Sequence, residues 1–263
     1  MNHIDFLQAI RADPDSDAPR LIYADWLEEQ GDSERAEFIR LQCQIDNLSA
    51  ADPVRLDAKV RAQRLLVKNE KTWLGFVTLW TERRRWERGM LEYVSMQAKA
   101  FITAGESLFP AVTVRKLSLE GINEATASVF KSPRLADLMG LALHRDHELD
   151  EAQDTGKTLA ALLASCPYLA KLKILLLDGF GLGNEGVKEL VASTGLRSLR
   201  VLSLKSNEIT AAGARHLAQS TAFPHLTSLD LGYHNIPKRE LAALRKKYGA
   251  NAIKHFDLPL HLA

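Results

Sequence analysis

Three aspartates near the start of the sequence have the spacing with which a calcium-binding loop begins. Asp13, Asp15 and Asp17 would supply carboxylates at loop positions 1, 3 and 5. Such a loop also needs glycine at position 6 and a bidentate glutamate at position 12, and this sequence has Ala18 and Ala24 there. We therefore interpret the segment as a polar turn, with Asp17 as the N-cap of the helix that follows.

Histidines in the second half of the chain are the other candidates for metal chemistry. His144 and His147 flank Asp146, but two imidazoles three residues apart are weak evidence for zinc, which usually takes four ligands. We interpret them as solvated loop residues, and we predict no metal and no cofactor.

Catalytic motifs are missing from the sequence. It has no G-x-S-x-G, no H-E-x-x-H and no phosphate-binding glycine loop. Gly179, Gly181 and Gly183 lack the lysine or hydroxyl partner that a phosphate cradle uses. Cys43 and Cys166 lie far apart and are interpreted as buried thiols in a reducing compartment. We therefore predict that the protein is not an enzyme.

An arginine-rich run at residues 83–88 is the best candidate for binding an anionic partner. Arginines with the interleaved Trp86 could contact phosphates and stack on a base. The alternative is a charged junction helix that buries Trp86 and pairs with the acidic start of the chain. Residues 1–50 carry 11 acidic and 4 basic side chains, whereas residues 51–90 carry 5 acidic and 10 basic ones, so these segments are expected to dock on each other.

The repeat unit that must position these residues is predicted from residues 199–217. Leu199, Leu202, Leu204, Asn207 and Ile209 fit the pattern L-x-x-L-x-L-x-x-N-x-L without a gap. This pattern is the signature of a leucine-rich repeat, in which a short strand and a turn are followed by a returning helix.

The pattern recurs along the chain at intervals of 23 to 34 residues. It predicts seven parallel strands, each with a pair of buried residues two positions apart. The pairs are Val94/Met96, Leu117/Leu119, Leu141/Leu143, Leu175/Leu177, Leu202/Leu204, Leu229/Leu231 and Phe256/Leu258.

Helices are predicted between the strands, on the convex side of a solenoid. The expected caps are Asn123, Asn184, Thr210 and Pro237, and Gly249 is expected to end the last helix. The periods and the segment LGNEGVKELV (182–191) resemble the ribonuclease-inhibitor type of repeat. Because only Asn207 fills the asparagine position of the pattern, backbone groups at the other turns need different partners.

Residues 3–48 are predicted to form three short helices. The segment FLQAIRADPDSDAPRLIYADWLEEQGDSERAEFIRLQ (6–42) resembles the bacterial repeat-companion domain, a module found N-terminal to repeats, and WERGMLEYVSM (86–96) is similar to the entry into such repeats. The resemblance implies no catalytic residues.

The predicted fold class is α/β, a leucine-rich-repeat solenoid with a parallel concave sheet, convex helices and an N-terminal all-helical cap module. The predicted domains are a helical repeat-companion module (1–50), a helical linker and solenoid cap (51–88), and the solenoid (89–263). The expected cap includes Trp73, Phe76, Trp80 and Trp86.

Targeting signals are not evident in the sequence. No apolar run reaches the length of a transmembrane helix, and the acidic N-terminus lacks the features of a signal peptide. These observations predict a cytoplasmic protein.

Residues that flank the buried leucines point to the opposite face of each strand. Ile174, Leu176 and Val201 form an apolar patch where a strand facing water should be polar, unless the insertion at 144–156 covers them. The predicted partner-binding residues are Tyr93, Lys116, Ile174, Leu176, Asp178, Val201, Ser203, Lys205 and Asp230. The predicted function is a non-enzymatic scaffold that binds a protein or peptide on the concave face. The alternative is a regulator that binds nucleic acid through residues 83–88.

Overall fold

A computed structural model describes residues 2–145 and 155–253 of the chain. These residues divide into two compact units. The first unit contains Met1–Val94 and Glu106–Val114, and the second contains Ser95–Gly105 and Arg115–Ala263. The strand β2 (Met90–Gln97) and the helix α5 (Ala98–Leu108) each contribute residues to both units.

The first unit begins with helices, as predicted. The elements are α1 (His3–Ala12), α2 (Ala18–Glu29), α3 (Ser33–Asn47), α4 (Pro53–Leu74), a 3-10 helix (Gly75–Leu79), the strand β1 (Arg83–Glu87) and the first part of β2.

Asp17 is the N-cap residue of α2, as predicted, but its side chain does not bond to the helix. Its carboxylate instead accepts hydrogen bonds from Arg88 and Asn47. The cap of α3 is Asp32, whose carboxylate accepts the backbone N–H of Arg35 at 3.1 Å. Asp17 and Asp32 are both suited to capping, but the carboxylate of Asp17 is occupied by partners that are distant in the sequence.

The core of the first unit is formed mainly by one face of each of the first three helices. Phe6, Leu7, Ile10, Tyr23 and Ile39 are all at most 4% exposed. Burying apolar side chains of this size stabilises a fold by about 1.5–3 kcal/mol each. This core therefore holds the helices together without a disulfide, and both cysteines are free and buried.

The arginine-rich run is a strand, not the junction helix considered above. β1 and β2 are hydrogen-bonded neighbours joined by Arg88 and Gly89. Both residues have positive φ, 48° and 78°, as in the type I′ turn of a β-hairpin. A side chain at position 89 would lie 2.6 Å from the Ile39 backbone, so only glycine fits there.

Ion pairs connect the acidic residues 1–50 with the basic residues 51–90, as expected from their charges. Lys68 pairs with Glu34 at 2.5 Å, and Arg61 pairs with Glu37. Arg88 lies 3.1 Å from Asp17, and it also donates to the carbonyls of Pro14 and Asp15. The partly buried Arg88 contacts offset the strain of its left-handed backbone.

The aromatic residues between α4 and β2 pack inside the first unit. Trp73 and Trp86 both contact Phe38. Their ring centroids lie 5.1 and 5.6 Å, respectively, from the Phe38 ring centroid. Phe76 is 45% exposed. The role of these residues as a cap on the repeats stays a prediction.

The second unit alternates strands and helices. Besides residues of β2 and α5, it contains β3 (Lys116–Ile122), 3-10 helices (Glu124–Lys131 and Pro133–Asp137), β4 (Gly140–Arg145), α6 (Thr155–Ser165), β5 (Ile174–Leu176), α7 (Gly183–Leu190), β6 (Val201–Ser203), α8 (Ala211–Gln219), β7 (Ser228–Asp230) and α9 (Lys238–Tyr248).

The predicted repeat register is confirmed for the strands β3 to β7. Leu117, Leu141, Leu175, Leu202 and Leu229 pair in sequence from one parallel strand to the next. Each of these leucines is fully buried, so they form one continuous ladder in the core.

At the far end of the ladder the prediction fails. The parallel partner of Leu229 on its other side is Ile253 rather than the predicted Phe256. Phe256 and Leu258 themselves lie outside the described residues. Val94 and Met96 lie in β2 and are fully buried, as predicted.

Helix termini in the second unit follow the predictions in part. Thr210 caps α8 and Gly249 ends α9 as expected, whereas Asn123 caps a 3-10 helix. Asn184 is not a cap. Its side-chain oxygen accepts the backbone N–H groups of Thr210 and Gly213 at 3.0 and 2.8 Å. A side chain at Gly213 would lie 2.7 Å from that oxygen, which explains the glycine.

Asn207 satisfies the backbone of the preceding turn. Its Nδ2 donates to the Leu177 carbonyl at 2.7 Å, and its Oδ1 accepts from the N–H groups of Phe180 and Leu182 at 3.0 and 3.3 Å. Asn207 is fully buried. The side chain thus replaces the hydrogen bonds that a strand or a helix would supply.

His234 does the same for the next turn. It stands 27 residues after Asn207, and its ring contacts the Leu204 carbonyl through Nε2 at 2.8 Å and accepts the Ile209 N–H through Nδ1 at 3.3 Å. Leu204 and Ile209 stand 27 residues after Leu177 and Leu182. A neutral imidazole with its proton on Nε2 fits both contacts.

Replacing His234 by asparagine is therefore expected to preserve the fold. The free energy of unfolding of His234→Asn should lie within about 1 kcal/mol of the parent value, because the amide offers the same donor and acceptor. His234→Ala should lose about 1–3 kcal/mol, because two backbone groups lose their partners. Urea denaturation followed by far-UV circular dichroism measures both. Equal losses in the two variants would contradict this role.

Candidate partner-binding surface

The strands β5 and β6 carry partly exposed residues next to fully buried ones. On β5 the central Leu175 is fully buried, whereas its neighbours Ile174 and Leu176 are half-buried. On β6 Val201 is also half-buried. The apolar patch predicted from the sequence is thus formed by adjacent residues of neighbouring strands.

The pairing of the strands defines the surroundings of this patch. Ile174 pairs with Gly140 on β4 and with Val201 on β6. Leu176 pairs with Ala142 on one side and with Ser203 on the other. Directly paired side chains lie about 4.5–5.5 Å apart. Gly140 and Ala142 are small and both are buried, so the exposed part of the patch lies on β5 and β6.

Asp178 links β5 to β6 at the edge of the patch. Its Oδ1 accepts hydrogen bonds from the Ser203 hydroxyl and from the backbone N–H of Lys205, the latter at 3.1 Å. Its other oxygen lies 3.5 Å from the Lys205 ammonium. The Asp178 side chain remains 39% exposed. One carboxylate therefore holds two turns in register and still presents negative charge to solvent.

Three of the predicted binding residues are buried. Tyr93 is 4% exposed and lies in the first unit, and Ser203 and Asp230 are at most 1% exposed. Asp230 accepts the backbone N–H of Gly232 at 2.8 Å. Lys116 is half-buried on β3. The apolar patch with Asp178 and Lys205 is what the structure brings together at the surface.

A polar cluster lies on β3 and β4. His144 Nε2 is 3.0 Å from the Ser118 hydroxyl and 3.9 Å from the Glu120 carboxylate. The positions follow from alternation along the strands, but their contact across strands could not be read from one strand alone. Asp146 and His147 lie outside the described residues. Among the residues described, no group of three or more His, Cys, Asp or Glu side chains could hold a metal ion.

Both cysteines are unsuited to nucleophilic chemistry. Burial is the main cause that raises the pKa of the Cys43 thiol to about 12, and the nearby Asp17 carboxylate adds to the effect. Burial also raises the pKa of Cys166. The thiolate is the reactive form, so these side chains are protonated at neutral pH and serve as core residues.

Trp86 is not a surface for stacking nucleic-acid bases. It is 8% exposed, and its Nε1 donates to Glu70 at 3.1 Å. Arg84 binds the same carboxylate at 3.3 Å. Arg83 and Arg85 are exposed on β1.

No helix in the described part of the chain combines the length and the apolar character needed to cross a lipid bilayer.

Comparisons with known proteins identify the repeats. A family model described as leucine-rich repeat matches residues 195–218 and 224–236. A solved crystal structure of a Bacteroides fragilis protein is similar, with 17% identity and a TM-score of 0.40 over 57% of this chain and 44% of that one. The chain thus spans less than half the length of that protein. No curated protein matches the chain. The matched segments contain the strands β6 and β7 with their buried leucines, so leucine-rich repeats are identified in this part of the chain.

Proposed function

We propose that the protein is a non-enzymatic interaction scaffold that binds a protein or peptide partner on the concave face of its repeats. Leucine-rich repeats generally mediate protein–protein interaction. The observation that carries the proposal is the apolar patch of Ile174, Leu176 and Val201 on the partly exposed side of the sheet.

The composition of this surface supports a protein ligand. An apolar centre excludes water when a partner covers it, and charged side chains at the edge set orientation. Here Asp178 and Lys205 supply an edge of both signs. Such a surface fits an extended peptide or a loop with an apolar anchor residue and flanking polar groups.

Leu176→Asp is expected to weaken binding of a partner by about 30-fold or more, since a central contact of this kind contributes about 2 kcal/mol or more. The probe is a set of peptides selected from a random display library on the immobilised full chain. Affinity of each peptide for parent and variant is measured by titration calorimetry, and thermal melting by circular dichroism is recorded beside it.

The matched control is Val67→Asp on α4. Val67 is 74% exposed and lies in the first unit, so the same charge is introduced away from the patch. Peptides that bind Leu176→Asp and the parent equally would remove the patch from the proposed site. Collapse of the fold in Leu176→Asp would mean that this leucine belongs to the core.

Binding of nucleic acid through residues 83–88 is the alternative. It would depend on the exposed Arg83 and Arg85, because Arg84 and Arg88 bind carboxylates within the first unit. Phosphate contacts weaken steeply as salt rises. A steep salt dependence of binding to a DNA or RNA oligonucleotide, lost in Arg83→Ser/Arg85→Ser, would favour this alternative.

A further inference from the structure

Two arginines of the first unit are more than nine-tenths buried, and they differ in one respect. Arg20 is fully buried and has a counterion, because its Nη2 donates to Glu92 at 3.0 Å and its Nη1 donates to the Ser16 carbonyl at 2.6 Å. Arg35 is 8% exposed. In the part of the chain that the structure describes, its guanidinium forms no salt bridge, and its enclosed Nε, like that of Arg20, has no hydrogen-bond acceptor. Of these two arginines, only Arg20 has a carboxylate within salt-bridge distance among the residues described.

Aromatic rings take the place of a counterion around Arg35. The guanidinium carbon lies 5.0 Å from the Trp73 ring centroid and 5.2 Å from that of Trp86. Phe38 packs against both indoles. The rings attract the cation, but they accept no hydrogen bonds in the plane of the guanidinium. The enclosed Nε–H of Arg35 remains without an acceptor among the residues described.

The pKa of Arg35 reflects both its burial and the groups around it. Burial is the main cause that lowers the pKa of Arg35, and Tyr23 and Asp32 act in the opposite direction. Asp32 uses one oxygen to cap α3. Burial, Arg35 and then Arg11 lower the pKa of His3. Arg11 itself is bound to the carbonyls of Phe109, Pro110 and Val112. A buried cation without a partner costs several kcal/mol, and an incoming anion would recover part of that cost.

We propose that Arg35, between Trp73 and Trp86, is the binding group for a carboxylate ligand. The planar fork of a guanidinium matches the two oxygens of a carboxylate. A monoanion balances the single positive charge, whereas a phosphate dianion would need a second cation. The carboxylate can belong to a small organic acid or to the C-terminus of a peptide, and both present the same chemistry.

The test uses the full chain and tryptophan fluorescence. All four tryptophans lie in the first unit, and two of them contact the guanidinium. Sodium acetate is titrated against sodium chloride at constant ionic strength, and sodium phosphate is titrated in the same way. A second arm compares acetyl-trialanine that has a free C-terminal carboxylate with its amide.

Saturable binding of acetate, absent with chloride, is the expected result. The peptide acid binding more tightly than acetate, with no binding of its amide, identifies a chain terminus as the better ligand, and the reverse order identifies a small acid. Phosphate binding more tightly than acetate would overturn the assignment to carboxylates. A signal that follows ionic strength alone would overturn the site.

Arg35→Met removes the charge and is expected to weaken acetate binding by about tenfold or more. The matched control is Arg85→Met, which removes an exposed arginine of the same unit and should bind acetate like the parent. If Arg35→Met does not fold, Arg35→Lys is used instead. This variant keeps the positive charge but lacks the planar fork of the guanidinium. Parent-like acetate binding in Arg35→Lys contradicts recognition by the fork.

Discussion

Replacing Glu92 by alanine is expected to destabilise the first unit by about 3–5 kcal/mol. The variant leaves Arg20 fully buried without its carboxylate, which in the parent lies 3.0 Å from Nη2. The Ser16 carbonyl remains as an acceptor, but a neutral dipole does not replace a negative charge at that distance. This single change removes a large part of the stability of a typical domain.

The measurement is urea denaturation followed by tryptophan fluorescence, which reports the first unit. Asp25→Ala is the control. It removes an exposed partner of Arg40, at 68% side-chain exposure, and should cost at most about 1 kcal/mol.

A double variant sharpens the test of Glu92. Arg20→Met combined with Glu92→Leu removes both charges and keeps most of the buried volume. It should be more stable than Glu92→Ala, because no uncompensated charge remains. A double variant less stable than Glu92→Ala, or a Glu92→Ala variant that loses less than about 1 kcal/mol, would show that the pair does not determine the stability of this unit.

The repeat register could be predicted from the sequence because its signal is local. Alternation of two buried leucines places Leu202 and Leu204 on one face, and the same spacing recurs at Leu175 and Leu229. A strand three residues long has few residues besides its buried leucine that could shift its register against the neighbouring strand. The sequence periods therefore translate directly into neighbouring strands.

The buried faces of the N-terminal helices were harder to predict. The apolar residues Ile4 and Ile22 are 46% and 57% exposed, whereas Arg20 and Tyr23 are buried. The helix α2 has apolar residues on more than one side, so packing against α3 decides which side faces inward. The charge state around Arg20 and Arg35 depends on contacts more than 35 residues away in the chain, which a local pattern does not contain.

The candidate surface shows the same division between local and distant information. The apolar positions Ile174, Leu176 and Val201 follow from alternation along each strand. That Ser203 is buried beneath an Asp178 hydrogen bond depends on the neighbouring repeat, 25 residues away. The hairpin at Arg88 and Gly89 was missed because the charged run was read as a helix, although an Arg-Gly pair before an apolar run is compatible with a turn.

Replacing Asn207 by aspartate is expected to destabilise the second unit by about 3–5 kcal/mol. The two side chains have the same shape, so packing is unchanged. In the parent, Nδ2 donates to the carbonyls of Leu177 and Lys205 at 2.7 and 3.0 Å. In Asn207→Asp a carboxylate oxygen faces these two carbonyls in a fully buried position. Two hydrogen bonds become repulsive contacts, and a charge is enclosed without a counterion.

Far-UV circular dichroism during urea denaturation measures the loss, and hydrogen exchange with mass spectrometry locates it. The amides of Phe180 and Leu182, which donate to Asn207, should lose protection first. The amide of Ile209 donates to His234 and should be affected less. The control Asn235→Asp changes an exposed asparagine in the next turn and should lie within about 0.5 kcal/mol of the parent. Equal loss of protection at Phe180 and Ile209, or a stability equal to the control, would mean that each turn is held by its own backbone and that Asn207 is not the link between repeats.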